Sequence, residues 1–206
     1  MKRKSSKKDN DDNGSYFAAA GRTRKKKRKK MMIIVIPIII AVAAGVTAAA
    51  LLYKPTPVQA IDGVECHGSE SLDYHHHAHL SVFVNGQEQH VPAGIGILPA
   101  PYSCLYWLHT HADDGIIHIE APQAMTFTLG QFIDIWKQTK SDSQSFFSTI
   151  SGMPVKVYVA EGNNEQPQQF NRNPRDIELK SQEQIVLAYG SSQPSTIPSY
   201  DFKGLT

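Results

Sequence analysis

The histidines are the residues whose chemistry stands out, because they are concentrated in one stretch of the chain. All nine lie between His67 and His118 in a sequence of 206 residues. Imidazole nitrogens are common protein ligands of zinc, copper, iron and nickel. The stretch therefore indicates a transition-metal site.

The spacing of these histidines is that of side chains sharing one face of a β-strand. Strand residues at i, i+2 and i+4 point the same way. In the segment YHHHAHLSVF this rule groups His75, His77 and His79, and the segments LHTH and GIIHIE repeat the interval. We expect the strands to lie side by side, so that imidazoles from separate segments converge. The predicted ligands, divided between more than one ion, are His75, His77, His79, His109, His111 and His118.

Two alternatives explain the clustering without a metal. One is a hydrogen-bonded polar layer, and the other is a pH switch in which clustered histidines become protonated and repel one another. A metal is favoured because many neutral imidazoles on one surface gain little stability without a shared cation. Asp113 and Asp114 either orient imidazoles or are ordinary turn residues. Glu120 is a weak candidate for the base of a hydrolase that uses metal-bound water.

Copper and zinc are the leading candidates for the ion. Copper fits metal handling or delivery, and zinc fits a structural or hydrolytic site. Cys66 and Cys104 are the only cysteines in the chain. On the outer side of a membrane such a pair usually forms a disulfide. The alternative, ligation by thiolates together with histidines, would favour copper.

The elements that position these residues begin with a membrane segment. Residues 31–53 carry no charge and are long enough as a helix to cross a bilayer. A basic run directly before them predicts a cytoplasmic N-terminus and an extracytoplasmic main domain. It is better explained as a topology determinant than as a nucleic-acid-binding patch. An uncleaved anchor is favoured over a cleaved signal peptide, because the apolar segment exceeds the usual length of a signal peptide.

Charge divides the chain at the same place. Residues 1–30 hold 13 of the 21 Lys and Arg residues and three acids, which leaves a net charge of −8 for the remainder. A negative outer part attracts cations. The predicted organisation is a disordered basic cytoplasmic segment (1–30), a transmembrane helix (31–53), a linker (54–60), a His-rich domain (61–190) and a flexible tail (191–206).

The His-rich segment predicts a small α+β domain. Asn85-Gly86 between two strand-like runs is a strong hairpin signal. TLGQFIDIWKQT reads as the one main helix, with capping-box spacing between Thr128 and Gln131. A helix packed on one face of a mixed sheet, in a β-grasp-like arrangement, is the first prediction, and a small β-sandwich is the alternative.

The segments HHHAHLSVFVNG, CLYWLHTHADDGIIHIEAP and FTLGQFIDIW together resemble a family of prokaryotic secreted or membrane-anchored domains with no established activity. These domains occur in archaea, especially ammonia-oxidising lineages, and in some bacteria. The resemblance spans roughly residues 61–190. The family's H-x-H-A-H-L element falls on His75, His77 and His79, and this chain has Ala112 where the family commonly has Asp. The resemblance implies an anchored outer-face domain.

The sequence thus predicts a membrane-anchored, extracytoplasmic domain that binds copper or zinc for handling or delivery, without a requirement for catalysis. Two other functions remain open. One is a structural accessory subunit of a membrane protein complex, and the other is a metal-dependent hydrolase or oxidase.

Overall fold

A single long helix, α1 (Gly14–Leu52), forms the described part of the N-terminal unit. The computed structural model describes residues 14–52, 58–71, 73–163 and 165–205, and the chain divides between Thr56 and Pro57 into two units. Within α1, the 24-residue span Lys29–Leu52 includes an 18-residue stretch with a mean hydropathy of 2.7, none of which is buried.

This helix is long and apolar enough to cross a membrane, since 24 residues rise about 36 Å and a bilayer core measures about 30 Å. The same length and composition fit a signal sequence near the N-terminus. Residues 14–30 of the basic segment, which we expected to be disordered, belong to the helix. Residues 1–13, Tyr53 and residues 54–57 of the predicted linker lie outside the described residues.

The second unit is built on two β-sheets. The larger has seven strands in the order β6-β7-β2-β10-β8-β9, with β3 also paired to β2, and the smaller has the order β1-β5-β4. The strands are β1 (Cys66–His67), β2 (Tyr74–Val84), β3 (Gln87–Gln89), β4 (Ile97–Leu98), β5 (Cys104–Tyr106), β6 (Leu108–His109), β7 (Ile116–Ala121), β8 (Val155–Glu161), β9 (Gln168–Phe170) and β10 (Glu183–Tyr189).

Strand β2 is the centre of the larger sheet. Its first half pairs with β7 and its last residues with β3, both antiparallel, while β10 runs parallel on its other edge. The predicted hairpin is present, because Asn85 and Gly86 both have positive φ values of 50° and 80°. Such values are what a two-residue hairpin turn requires.

The main helix, α2 (Leu129–Thr139), has the predicted capping box between Thr128 and Gln131. Its buried face, which includes Phe132 and Ile135, joins one continuous core with apolar residues of the larger sheet. A shorter helix, α3 (Ser143–Ile150), and a 3₁₀ turn (Pro174–Asp176) follow. The domain is therefore mixed α+β, as predicted, and its described residues form no closed barrel.

Alternation along β2 separates its two faces. Ala78, Leu80 and Val82 lie in the core, so their neighbours in the strand point to the opposite face. That opposite face therefore carries the histidines at positions 75, 77 and 79.

The C-terminal segment covers part of the histidine-bearing face. Residues 191–205 contain no helix or strand, yet Phe202 is only 2% exposed and Tyr200 stacks on His79 with ring centroids 3.9 Å apart. We expected a flexible tail, because the segment lacks any apolar period. Its few aromatic side chains are instead sufficient to hold it against the domain. Thr206 lies outside the described residues.

Candidate metal centre

The sheet order brings three histidines into one row. His109 on β6 is the partner of His118 on β7, and His118 is in turn the partner of His77 on β2. In the next row Glu120 is opposite His75. Because cross-strand partners lie about 4.5–5.5 Å apart on the same face, imidazoles from three strands meet at one place.

Two overlapping sets of side chains can each hold a metal ion. In each set the ligand atoms lie within 4.8 Å of one another. The first set is His109, His111, His118 and Glu120, and the second is His75, His77 and His118. Five of the six predicted histidines are thus brought together, and Glu120 joins them.

His109 is held in the orientation that a ligand needs. Its Nδ1–H donates a hydrogen bond to the carbonyl of Tyr106 at 2.9 Å, and its side chain is only 1% exposed. This bond leaves the lone pair on Nε2, which lies 3.1 Å from Nε2 of His111. Two nitrogens bound to one tetrahedral zinc at 2.0–2.1 Å are about 3.3 Å apart. The observed separation is close to that distance.

Several donor atoms in the cluster have no partner among the described residues. These buried atoms are Nε2 of His75, Nδ1 of His77, Nδ1 of His118 and Oε2 of Glu120. A buried polar atom without a hydrogen bond is costly, so native structures rarely leave several at one place. Cations bound by these side chains would satisfy them.

The buried imidazoles are neutral at physiological pH. Burial lowers the pKa of His77 and of His109 to about 4, and neighbouring imidazoles contribute in the same direction. The pKa of His118 falls to about 3 for the same reasons, because it lies between His109 and His77. Neutral imidazoles have the free lone pair that a metal requires.

Glu120 is the only carboxylate inside the described cluster and is 3% exposed. Its Oε1 lies 3.4 Å from Nε2 of His75, 3.6 Å from Nδ1 of His118 and 3.9 Å from Nε2 of His109. Burial raises its pKa, and repulsion from Glu70 adds to the effect, although His111 opposes it. Its position allows Glu120 to hold a metal ion together with the histidines, whereas the sequence indicated only a weak candidate base.

Glu70 is the residue that sequence analysis missed. Its Oε1 lies 3.2 Å from Nε2 of His111, and both side chains are exposed. Glu70 lies in the loop before β2, and its spacing from any histidine carries no signal. Only the tertiary structure brings it to the edge of the cluster.

His79 lies outside both sets. Its Nε2–H donates to the carbonyl of Asp114 at 3.1 Å, and its ring stacks on Tyr200. Asp114 uses Oδ1 to accept a hydrogen bond from the backbone N–H of Ile116, as an ordinary turn residue does. His76 points to the other face and donates to the carbonyl of Leu179.

The two cysteines are joined rather than free. The sulfurs of Cys66 and Cys104 are at disulfide distance, 2.05 Å, and connect β1 to β5. Strand β5 is followed almost directly by β6, so the bond lies close in sequence to His109. Both sulfurs are occupied, which leaves nitrogen and oxygen as the donors of the cluster.

No protein-family model matches the chain, and neither a curated protein nor a solved structure matches it. The family resemblance of the sequence therefore stays a prediction. The donor set must be interpreted from its own geometry.

Proposed function

We infer that this protein is a membrane-anchored, extracytoplasmic domain that binds a divalent transition metal and serves in metal handling or delivery. The observation that carries this proposal is the convergence, at one place, of buried donor atoms from β2 and β7 that have no hydrogen-bond partner in the described part of the chain. Desolvation keeps the imidazoles neutral, and Glu120 supplies a negative charge beside them. These features together favour a cation over a purely structural histidine layer.

The donor chemistry supports zinc or copper(II). Imidazole with a carboxylate suits both ions, whereas copper(I) is selected by thiolate and thioether ligands. Cys66 and Cys104 are tied to each other. Handling or delivery is supported by the partial exposure of the cluster, since the side chains of His75 and His111 are 26% and 41% exposed. An ion there is within reach of a receiving protein.

Elemental analysis of the untagged full chain in detergent tests metal binding. The variant H77Q/H109Q removes one ligand from each set while keeping side-chain size and polarity. We expect stoichiometric zinc or copper in the wild type and a loss of at least tenfold in the variant. H90Q, on the surface and outside both sets, is the matched control. A metal-free wild type with the same unfolding midpoint as the variant would refute the proposal.

The location is proposed from charge. Lys and Arg concentrate before the apolar part of α1, and such residues stay in the cytoplasm. In intact cells an added protease should therefore digest the main domain. In inside-out vesicles the domain should be protected. Digestion only in inside-out vesicles would reverse the orientation, and release of a soluble form lacking α1 would show a cleaved signal sequence.

A metal-dependent hydrolase or oxidase is the second candidate, and one observation favours it. His111 is exposed while His109 and Glu120 are buried, so an ion in this set would face solvent on the His111 side. Turnover of an activated ester by the zinc-loaded protein, lost in H111Q, would support it. The accessory-subunit alternative is tested by the proteins that co-purify with the full chain.

We also propose that the strands and the main helix of the domain have a β-grasp-like arrangement. The parallel pair β2–β10 at the centre, antiparallel strands on both sides and α2 against the core support it. An experimental structure of the domain is the direct test.

A further inference from the structure

We propose that the cluster binds two metal ions, with Glu120 and an imidazolate form of His118 shared between them. Sharing the His118 ring uses one ring nitrogen for each ion and releases the ring proton to solvent. This inference rests on the metal-binding function proposed above and adds its stoichiometry and architecture. Strand β7, which lies between β6 and β2, supplies the shared residues. Each side adds one i, i+2 pair, His109 with His111 on the β6 side and His75 with His77 on β2.

The rings are arranged almost symmetrically about His118. On one side its ring is stacked with that of His109 at 5.3 Å and edge-on to that of His111 at 4.5 Å. On the other side it is stacked with His75 at 6.1 Å and edge-on to His77 at 4.6 Å. Each side thus offers His118 one parallel and one perpendicular partner. A single ion would bind the rings on one side of His118 and leave the rings on the other side without an ion.

The distances between ligand atoms assign the two histidine pairs to different ions. Two ligands of one ion with bonds of 2.0–2.1 Å are at most about 4.2 Å apart. Among the described residues, the pair His109/His111 and the pair His75/His77 fall in different sets, and no set bounded by 4.8 Å contains both. One ion therefore cannot bind both pairs without a rearrangement of their side chains. Two ions can each bind one pair where it stands.

Glu120 is placed to join the two ions. Its Oε1 contacts His75 on one side and His109 on the other, at 3.4 and 3.9 Å. Its Oε2 is buried and has no hydrogen-bond partner among the described residues. A carboxylate can give one oxygen to each of two ions without releasing a proton. Glu120 would then reduce the repulsion between two divalent cations, and the nearby Glu70 adds a second negative charge at the His111 edge.

Zinc titration of the chelator-stripped full chain in detergent tests the number of ions. We expect two zinc ions per chain for the wild type and one for each of the variants H75Q/H77Q and H109Q/H111Q. Because His111 is exposed, H111Q alone keeps the fold and should weaken one site by at least tenfold. One ion in the wild type would overturn this inference and leave metal binding intact. No ion at all would overturn both.

Loading the protein with copper(II) tests whether the two ions share ligands. Two copper ions held by common ligands are magnetically coupled, so the integrated electron paramagnetic resonance signal should fall below that of two independent spins. Each double variant should give one independent spin, and H90Q should behave as the wild type. A wild-type signal equal to two independent spins would contradict shared ligands.

Discussion

At the scale of single residues, the surroundings of each donor atom decide whether that atom is free to bind a metal. His77 and His79 are both histidines on the same face of β2, yet their hydrogen-bond partners differ. His79 donates to Asp114, whereas Nδ1 of His77 is buried without a partner among the described residues. Donor atoms already bound within the protein are poor ligands, and unpaired ones are good candidates. Glu120 shows the cost of such an arrangement, because burial raises its pKa.

Glu120→Gln separates metal binding from stability. A folded-state pKa above the unfolded value means that the buried carboxylate destabilises the metal-free protein at neutral pH. The neutral amide should therefore raise the unfolding midpoint of the metal-free protein. Zinc affinity should fall by about 10- to 100-fold. Competition with a chromophoric chelator and urea unfolding measure the two effects, with the exposed Glu88→Gln as control. Unchanged zinc affinity would remove Glu120 from the ligand set.

At the scale of elements, strands from distant parts of the sequence must be held side by side. β2 and β7 contribute most of the candidate ligands, and they are separated by the whole β3–β6 region. The smaller sheet takes β4 and β5 from that region, and its disulfide connects the chain before β2 to the chain before β6. The disulfide therefore acts on the site indirectly, by limiting how far these segments can separate.

The double variant C66S/C104S tests this structural role. Loss of a disulfide whose cysteines are 38 residues apart should lower the free energy of unfolding by about 2–4 kcal/mol. Zinc stoichiometry at low temperature should stay as in the wild type, because the sulfurs are not ligands. Denaturant titration and elemental analysis give the two quantities. A folded variant that lost its metal would instead support thiolate ligation.

The C-terminal segment is a second element with a structural role. Phe202 is 2% exposed and lies against Tyr200, which stacks on His79. Phe202→Ala should cost about 3–5 kcal/mol of stability, because it removes a large buried side chain. Tyr102→Ala, at a side chain that is 59% exposed, should change stability by less than about 0.5 kcal/mol. Equal effects of the two substitutions in thermal unfolding would show that the segment does not pack.

At the scale of the whole molecule, buried histidines couple folding to pH. The pKa values of His77, His79 and His109 are lowered to about 4 and that of His118 to about 3, chiefly by burial. The unfolded chain, with histidine pKa values of about 6.5, binds more protons below neutral pH. Glu183 opposes this trend, since burial raises its pKa to about 7. Burial also raises the pKa of Glu120, so two acids oppose the trend, and the four histidines outnumber them.

The metal-free protein should therefore lose stability as the pH falls from about 6.5 towards about 4. Each of these histidines contributes a slope of up to about 1.4 kcal/mol per pH unit. Urea midpoints measured with a chelator at several pH values in this range give the slope. His118→Gln should make this slope shallower, because it removes one of the four histidines whose pKa is lowered. A flat profile in the wild type would mean that the histidines are solvated.

The amino-acid sequence by itself determined the features that depend on near neighbours. These are the apolar helix, the Asn-Gly hairpin, the capping box of α2 and the alternation that separates histidines from core residues on β2. Each follows from local periodicity or turn chemistry. The convergence of imidazoles from β2, β6 and β7 was expected from these features but not fixed by them.

The tertiary structure decided which residues meet. Register between β2 and β7 places His77 beside His118 and Glu120 beside His75, and a slip of one residue would reverse every face. That register is set by apolar packing on the other side of the sheet. The same packing leaves His79 under the C-terminal segment and brings Glu70 to His111. Membership of the cluster is therefore a property of the packed sheet, because no local spacing encodes contacts between strands so far apart in the chain.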